Sequence, residues 1–372
     1  MHGCRLTHFS APPRQYMNKE NRMQNWMIYG ANGYTGRLIA QQAVKLGLTP
    51  ILAGRGAAVT ELANSLGLLA ERFDLLDTVA TRQALQKVDL VLNCAGPFSA
   101  TAAPMIRACL DSGCHYLDIT GEVGVFEHAQ QQHAAAEKVG IVICPGVGFD
   151  VIPTDCVAAA LKQALPDATQ LALGFDSRSS LSPGTAKTSV EGLALGGKVR
   201  QNGQLTTVPY AWKVRQIDFG FGSKTAPTIP WGDVASAWFS TGIPNIEVYM
   251  ATPPALVKQM RLLNWVKPAL GWGWVQGLLK GQIEKSVRGP NETQRAKSRT
   301  AVWGEAVNAK GEKCTAHIET ANGYQLTIDG SLAIVQHILN QATLRGGYYT
   351  PSTLCGWQLV EQLPGSGKIT LN

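Results

Sequence analysis

The chain has 372 residues, 45% of them apolar, with 33 Lys+Arg against 26 Asp+Glu and a net charge of +7. Length and apolar content suit two packed domains and exclude a disordered chain, a collagen-like repeat and a small disulfide scaffold. Only 16% of the residues are charged, against roughly 25% in an ordinary soluble domain, so an apolar cleft or surface is expected.

Residues 1–24 carry Arg5, Arg14, Lys19 and Arg22 against Glu20, without the apolar run of a secretory signal. They read as a disordered leader, with a start near Met23 or a short organellar transit peptide as alternatives. Eight cysteines are scattered without a CxxC pair or zinc-type spacing. No metal site is expected, and the thiols read as reduced in a cytoplasmic protein.

From Trp26 to Pro145 short apolar runs (26–29, 50–53, 71–73, 89–92, 116–119, 140–144) alternate with segments of helical spacing (36–46, 59–66, 79–88, 101–112, 125–139). Six strands interleaved with helices predict an α/β fold, a Rossmann-type doubly wound parallel sheet over 25–150. After Asp150 the rhythm changes to a helix at 154–164, a strand at 171–175 and two hairpin signals, Gln201-Asn202-Gly203 and Asn308-Ala309-Lys310-Gly311. This predicts a second, α+β domain over 151–342 for substrate or dimerisation. Residues 343–372, helical at 351–362, are expected to pack back on the first domain.

The first strand runs into Gly30-Ala31-Asn32-Gly33-Tyr34-Thr35-Gly36 and then directly into a helix. Glycines here permit a tight turn, a close approach to a pyrophosphate and helix-on-strand packing, while the helix N-terminus offers N–H groups to the phosphates. The second strand ends in Ala53-Gly54-Arg55, where an NAD site places an acid for the ribose. An arginine instead favours the 2′-phosphate of NADP. Asp74, after the third strand, is an adenine contact or a helix cap.

Ligands of such sheets lie beyond the carboxyl ends of the strands. The fourth strand ends in Asn93-Cys94-Ala95-Gly96-Pro97-Phe98, a loop lean enough to lie along a nicotinamide ribose. The fifth runs His115 to Glu122 and the sixth Cys144 to Asp155. Together with the glycine loop these strings resemble the NADP-binding domain of the saccharopine dehydrogenase-like oxidoreductases. Within that family they are most similar to the branch of bacterial trans-acting enoyl reductases and animal saccharopine dehydrogenase-like proteins. The likeness runs through 26–155 and, more faintly, Pro183-Gly184-Thr185 and 346–351; nothing in 200–299 matches. It implies NADP held by residues 30–36, Arg55 and the 93–98 loop, and substrate held between the domains. Saccharopine itself is not implied, because no cationic cluster for a multi-carboxylate substrate stands in the strand-end loops.

Candidate proton donors are Tyr116, Asp118 and Lys187, and candidate substrate contacts are Glu122, Cys144, Thr185 and Ser189. Each has a plain alternative: Tyr116 as core, Asp118 as a ribose contact, Thr185 as a cap, Lys187 as surface, Cys144 as a buried thiol. An imine-forming amino-acid dehydrogenase would need a carboxylate clamp from Arg178, Lys187 and Arg200.

Between 255 and 300 stand nine cations (Lys258, Arg261, Lys267, Lys280, Lys285, Arg288, Arg295, Lys297, Arg299), two acids (Glu284, Glu292), and Trp265, Trp272 and Trp274. The apolar run 269–279 is too short to span a bilayer. The segment fits peripheral contact with anionic lipid, a homodimer interface or a lid; nucleic acid is not expected, since no stacking platform accompanies the charge. The sequence thus reads as an NADP-dependent oxidoreductase reducing a C=C or C=O bond of a small, apolar or lipid-derived molecule. The rival reading is a non-catalytic NADP-binding protein with a membrane or protein partner.

Overall fold

The central strands of the first sheet are almost wholly apolar in sequence, and the computed structural model shows why. Residues 25–177, 190, 192, 196–270, 272–286, 293, 298–341 and 343–372 are described; the leader, Arg178, Thr185, Lys187 and Ser189 lie outside them. The first half runs β1 (Trp26–Tyr29), α1 (Tyr34–Lys45), β2 (Ile51–Gly54), α2 (Ala58–Leu66), β3 (Ala70–Arg72), α3 (Thr78–Leu85), β4 (Leu90–Asn93), α4 (Phe98–Ser112), β5 (His115–Asp118), α5 (Val123–Gln131), α6 (His133–Val139) and β6 (Val142–Cys144). The second runs α7 (Ile152–Ala164), β7 (Ala168–Ser177), β8 (Gly197–Gln201), β9 (Gln204–Val208), β10 (Val214–Asp218), β11 (Ser223–Pro227), α8 (Asp233–Thr241), β12 (Asn245–Met250), α9 (Pro254–Leu270), α10 (Gly273–Ser286), β13 (Arg299–Asn308), β14 (Lys313–Ala321), α11 (Gly323–Asn340), β15 (Gly347–Tyr348), α12 (Pro351–Cys355), α13 (Leu359–Gln362) and β16 (Thr370–Leu371).

The first sheet is all parallel in the order β3-β2-β1-β4-β5-β6-β15. Alternate residues enter two different cores: Met27, Tyr29, Val91, Tyr116 and Ile143 on one face, Trp26, Ile28, Leu90, Leu92, Leu117 and Val142 on the other. A sheet buried on both faces needs such continuous apolar runs. The second face shares its core with Val157, Leu161, Leu173, Val302 and Leu332, so apolar packing is continuous into the second half of the chain.

The second sheet is mixed, ordered β16-β14-β13-β7-β12-β8-β9, with β7 and β12 parallel and the other pairs antiparallel. Its β8–β9 turn places Asn202 at φ 49° and Gly203 at φ 78°, the left-handed pair that an Asn-Gly hairpin takes up. The segment expected as one helix at 125–139 is two, meeting at Gln132. No Gly or Pro marks that break, and just beyond it the His133 ring accepts the Tyr348 N–H at 3.0 Å. The segment expected as helical at 351–362 is likewise two short helices, separated by Gly356 at φ 83°. Residues 347–348 extend the first sheet while 370–371 pair with β14 of the second.

Candidate cofactor site and inter-domain cleft

The glycine loop leaves β1 with Gly30 in the left-handed region (φ 78°), its N–H bonded to the Ala53 carbonyl at 2.8 Å. A methyl on Gly30 would stand 2.7 Å from Ala95 N, and one on Gly36 would stand 2.5 Å from the Gly30 carbonyl oxygen. Both glycines are thus required by the chain's own packing. Gly33 differs: it caps α1 at φ −68°, ψ 166°, open to any residue, and its added methyl would meet only the Gly30 oxygen at 3.2 Å. No side chain caps α1 and no acid occupies its first turn, an arrangement that suits an anion at the positive end of the helix. Asn32 leans over the end of β2, its Oδ1 close to Gly54. Thr35 follows in the first turn, and the Tyr34 ring meets Tyr324, at the start of α11, edge-on at 5.2 Å.

Arg55 is exposed beyond β2, and with Asp74 beyond β3 it brackets the Tyr29 hydroxyl. Burial raises the Tyr29 pKa, Asp74 adds to this and Arg55 opposes it. Asp74 is not the cap of α3; that role belongs to Asp77, which accepts the Ala80 N–H, while Asp74 Oδ1 accepts the Leu76 N–H at 3.0 Å in a local turn.

The loop after β4 is clasped from within. Asn93 Oδ1 accepts the Ala95 N–H at 3.0 Å and Asn93 Nδ2 donates to Thr101, whose hydroxyl donates to the Ala95 carbonyl at 2.6 Å. Gly96 and Pro97 continue to Phe98, the first residue of α4. Glu122 lies against this helix start, its two oxygens accepting the Phe98 and Ser99 N–H groups at 2.8 Å each. It holds the two strand-end loops together and stabilises the α4 dipole.

Tyr116 and Asp118 are fully buried and joined, the hydroxyl donating to Oδ2 at 2.6 Å. Asp118 Oδ1 also accepts the Thr120 and Gly146 N–H groups at 3.0 and 2.8 Å. Burial lifts the Asp118 carboxyl to about 6 despite these bonds, and burial likewise raises the Tyr116 hydroxyl. The pair ties β5 to the loop after β6; neither presents a free atom at the strand ends. Cys144 is buried, its thiol pushed up by burial, and His115 accepts the Val142 N–H through Nδ1.

Asp150, at the end of the loop after β6, was passed over by sequence reasoning. Its Oδ2 stands 2.8 Å from where a Gly121 methyl would lie, so the loops after β5 and β6 touch here. Among the described residues no hydrogen bond reaches the carboxylate; burial alone lifts it to about 7, although the residue keeps some exposed surface. Its carbonyl accepts the Trp231 indole N–H at 2.8 Å. Trp231 packs on Phe175 at 4.9 Å and Phe175 on Phe149 at 5.6 Å. An acid with an elevated pKa therefore borders an aromatic cluster between the two sheets, on the β4-β5-β6 half of the strand-end edge.

Arg200 is buried, donating to the carbonyls of Val234 at 2.7 Å and Gly203 at 2.8 Å and to Glu127, with its guanidinium over the Trp238 ring. Those bonds preclude its service in a carboxylate clamp, whose remaining members, Arg178 and Lys187, lie outside the described residues, as do Thr185 and Ser189. A separate cleft of about 220 Å³ beside the β10–β11 hairpin is lined by Arg215 and Lys313, both paired with Glu305. No group of side chains suited to a metal stands among the described residues.

A parallel sheet with this strand order, its glycine loop feeding an uncapped helix, defines a dinucleotide-binding domain. Residues 26–144 match the saccharopine dehydrogenase NADP-binding domain family. A probable mitochondrial saccharopine dehydrogenase-like oxidoreductase of Arabidopsis thaliana is 30% identical over 210 residues, 49% of this chain and 46% of the relative. The saccharopine dehydrogenase-like oxidoreductase of Mus musculus is 27% identical over 161 residues, 37% of each chain. A putative trans-acting enoyl reductase of Mycobacterium tuberculosis is 31% identical over 147 residues, 37% of this chain and 35% of the relative. The match thus spans less than half the length of these curated relatives. Apo saccharopine dehydrogenase (L-Glu forming) from Saccharomyces cerevisiae shares the fold at a TM-score of 0.61, covering 94% of this chain and all of that one at 11% identity.

Proposed function

We propose that the protein is an NADP-dependent oxidoreductase that reduces a C=C or C=O bond of an apolar, lipid-derived molecule. The observation that carries this reading is the open cradle at Gly33. Gly30 and Gly36 answer to internal packing, whereas the absence of a side chain at Gly33 serves space outside the chain, in front of the first turn of α1. In that space a dinucleotide's pyrophosphate meets the helix N–H groups. Arg55, at the position where NAD sites carry an acid, favours the 2′-phosphate. The 93–98 loop, shaped by Asn93 and Thr101, borders the nicotinamide ribose.

The bound cofactor supplies a hydride. The chain's part is to orient the substrate against the aromatic cluster and to hold a proton at Asp150, whose carboxyl is half-protonated near neutrality, as a proton donor requires. Tyr116 and Asp118 position the loops rather than the substrate. The name trans-acting enoyl reductase borne by one relative supports an α,β-unsaturated acyl group as the substrate class. Peripheral contact with lipid through residues 255–300 accords with an apolar substrate.

The test is a fluorescence titration with NADPH and NADH, followed by addition of a medium-chain 2-enoyl thioester while the nicotinamide absorbance is watched. Tighter binding of NADPH than NADH with oxidation on adding the thioester is expected. Absence of dinucleotide binding would overturn the cofactor reading. Binding without turnover on enoyl and carbonyl substrates would favour the non-catalytic alternative.

A further inference from the structure

The helices α9 and α10 show an unusual distribution of apolar surface. The inward face of α9 is accounted for: Val257 is buried, Met260 packs against the main core, and Asn264 clasps the Tyr210 backbone, accepting its N–H at 2.7 Å and donating to its carbonyl at 3.1 Å. One further set at helical spacing points the other way. Leu262 is 65% exposed, Trp265 86% and Val266 50%. Immediately after, Trp272 is 56% exposed, Trp274 66% and Leu278 65%, and the two indoles lie 6.2 Å apart. Scattered exposed apolar side chains need no explanation, but six large ones between 262 and 278, three of them tryptophan, mark an interaction surface.

We propose that this surface is a monotopic docking site for an anionic lipid bilayer, which Trp265, Trp272 and Trp274 enter at headgroup depth. It deepens the lipid-contact reading above and is independent of the chemistry assigned to the cofactor site. Charge complementarity selects the occupant. Lys258 and Arg261 are exposed beside Leu262 and Trp265, and the sequence of α9 contains no acid. A second copy of this chain would bring the same positive charge to the contact, whereas an anionic headgroup layer neutralises it. Tryptophan seeks the boundary between headgroup and acyl chain, its ring apolar and its N–H wet. No described helix is long and apolar enough to cross a membrane, so the association lies in the plane of the interface.

The experiment is flotation of the full chain with phosphatidylcholine vesicles and with vesicles that also contain phosphatidylglycerol, at low and high salt, alongside tryptophan quenching by brominated lipid. Flotation with the anionic vesicles, weakened by salt and accompanied by quenching, is expected. A variant combining Trp265→Ala, Trp272→Ala and Trp274→Ala should lose flotation and quenching while its thermal unfolding is unchanged, because the residues removed are exposed. Lys258→Gln and Arg261→Gln should each weaken vesicle binding roughly fivefold. Failure to float at low salt, equal flotation by the triple variant, or a dimer in sedimentation that the triple variant abolishes without any vesicle binding would overturn the proposal. NADPH titration of the same preparation reports separately on the cofactor site.

Discussion

Replacing Gly33 by alanine separates a ligand's demand from the fold's. At Gly36 the new methyl would sit 2.5 Å from the Gly30 carbonyl oxygen, and at Gly30 it would press on Ala95 with φ at 78°; both substitutions must move backbone. At Gly33 the backbone is already in a region open to alanine and the nearest atom is 3.2 Å away. Exchanging Gly for Ala at a helix N-cap costs about 1 kcal/mol or less, a few degrees of thermal stability at most. The methyl would, however, stand where the pyrophosphate meets the N–H groups of α1. Losing two charge-assisted hydrogen bonds costs about 3 kcal/mol or more, over roughly a hundredfold in Kd. NADPH fluorescence titration and thermal unfolding of Gly33→Ala and Gly36→Ala decide the matter. Unchanged NADPH affinity in Gly33→Ala, or a stability loss in it as large as in Gly36→Ala, would refute the assignment of that space to the cofactor.

Arg55→Ala should weaken NADPH about tenfold or more and leave NADH nearly unchanged, measured by parallel titrations; equal loss would mean the arginine does not meet the 2′-phosphate. Glu122→Ala leaves the Phe98 and Ser99 N–H groups without their acceptor and should cost about 1–2 kcal/mol in chemical denaturation. Arg200→Met, which strands Glu127 and two carbonyl oxygens, should cost more, about 3 kcal/mol. The Asp150 pKa is raised from 3.8 to about 7 on folding, so the folded chain binds the extra proton. The stabilisation linked to that proton is full below the unfolded value and fades as pH rises through the folded one. Asp150→Asn should therefore be more stable than the parent above neutrality and lose part of the parent's fall in melting temperature between mildly acidic and neutral pH.

The first domain was legible because its signals are local. Six apolar runs separated by helical spacing define a parallel sheet whose strands are buried on both faces, and the glycine string sits where strand becomes helix. The Asn202-Gly203 and 308–311 turns carried the hairpins of the second sheet for the same reason. What escaped depends on partners distant in sequence. Asp150 stood in a loop already singled out, yet its environment is made by Gly121 and by Trp231, 81 residues away. Arg200 looked available as an anion ligand until Glu127, Gly203 and Val234 were seen to occupy it. Tyr116 and Asp118 shared a strand face as expected, but the Gly146 N–H that occupies Asp118 Oδ1 comes from the loop after β6. The helix α11 was unmarked by any motif, though it brings Tyr324 to the cofactor loop.

Strand β15 gives the first domain a dependence that its family boundaries hide. The edge of β6 is finished by Gly347 and Tyr348, held by backbone bonds to Ile141 and by a contact to His133 that reaches across 215 residues. Asp155 Oδ2 accepts the Ser352 N–H just beyond. A ribosome that has released only the cofactor domain has released a sheet with an open edge, and the closure waits for the whole intervening lobe to be made. The dinucleotide-binding unit is therefore completed after the second lobe, so a nascent chain should gain its full protease resistance in one late step. A fragment cut after β6 would expose the β6 edge to pairing with other chains.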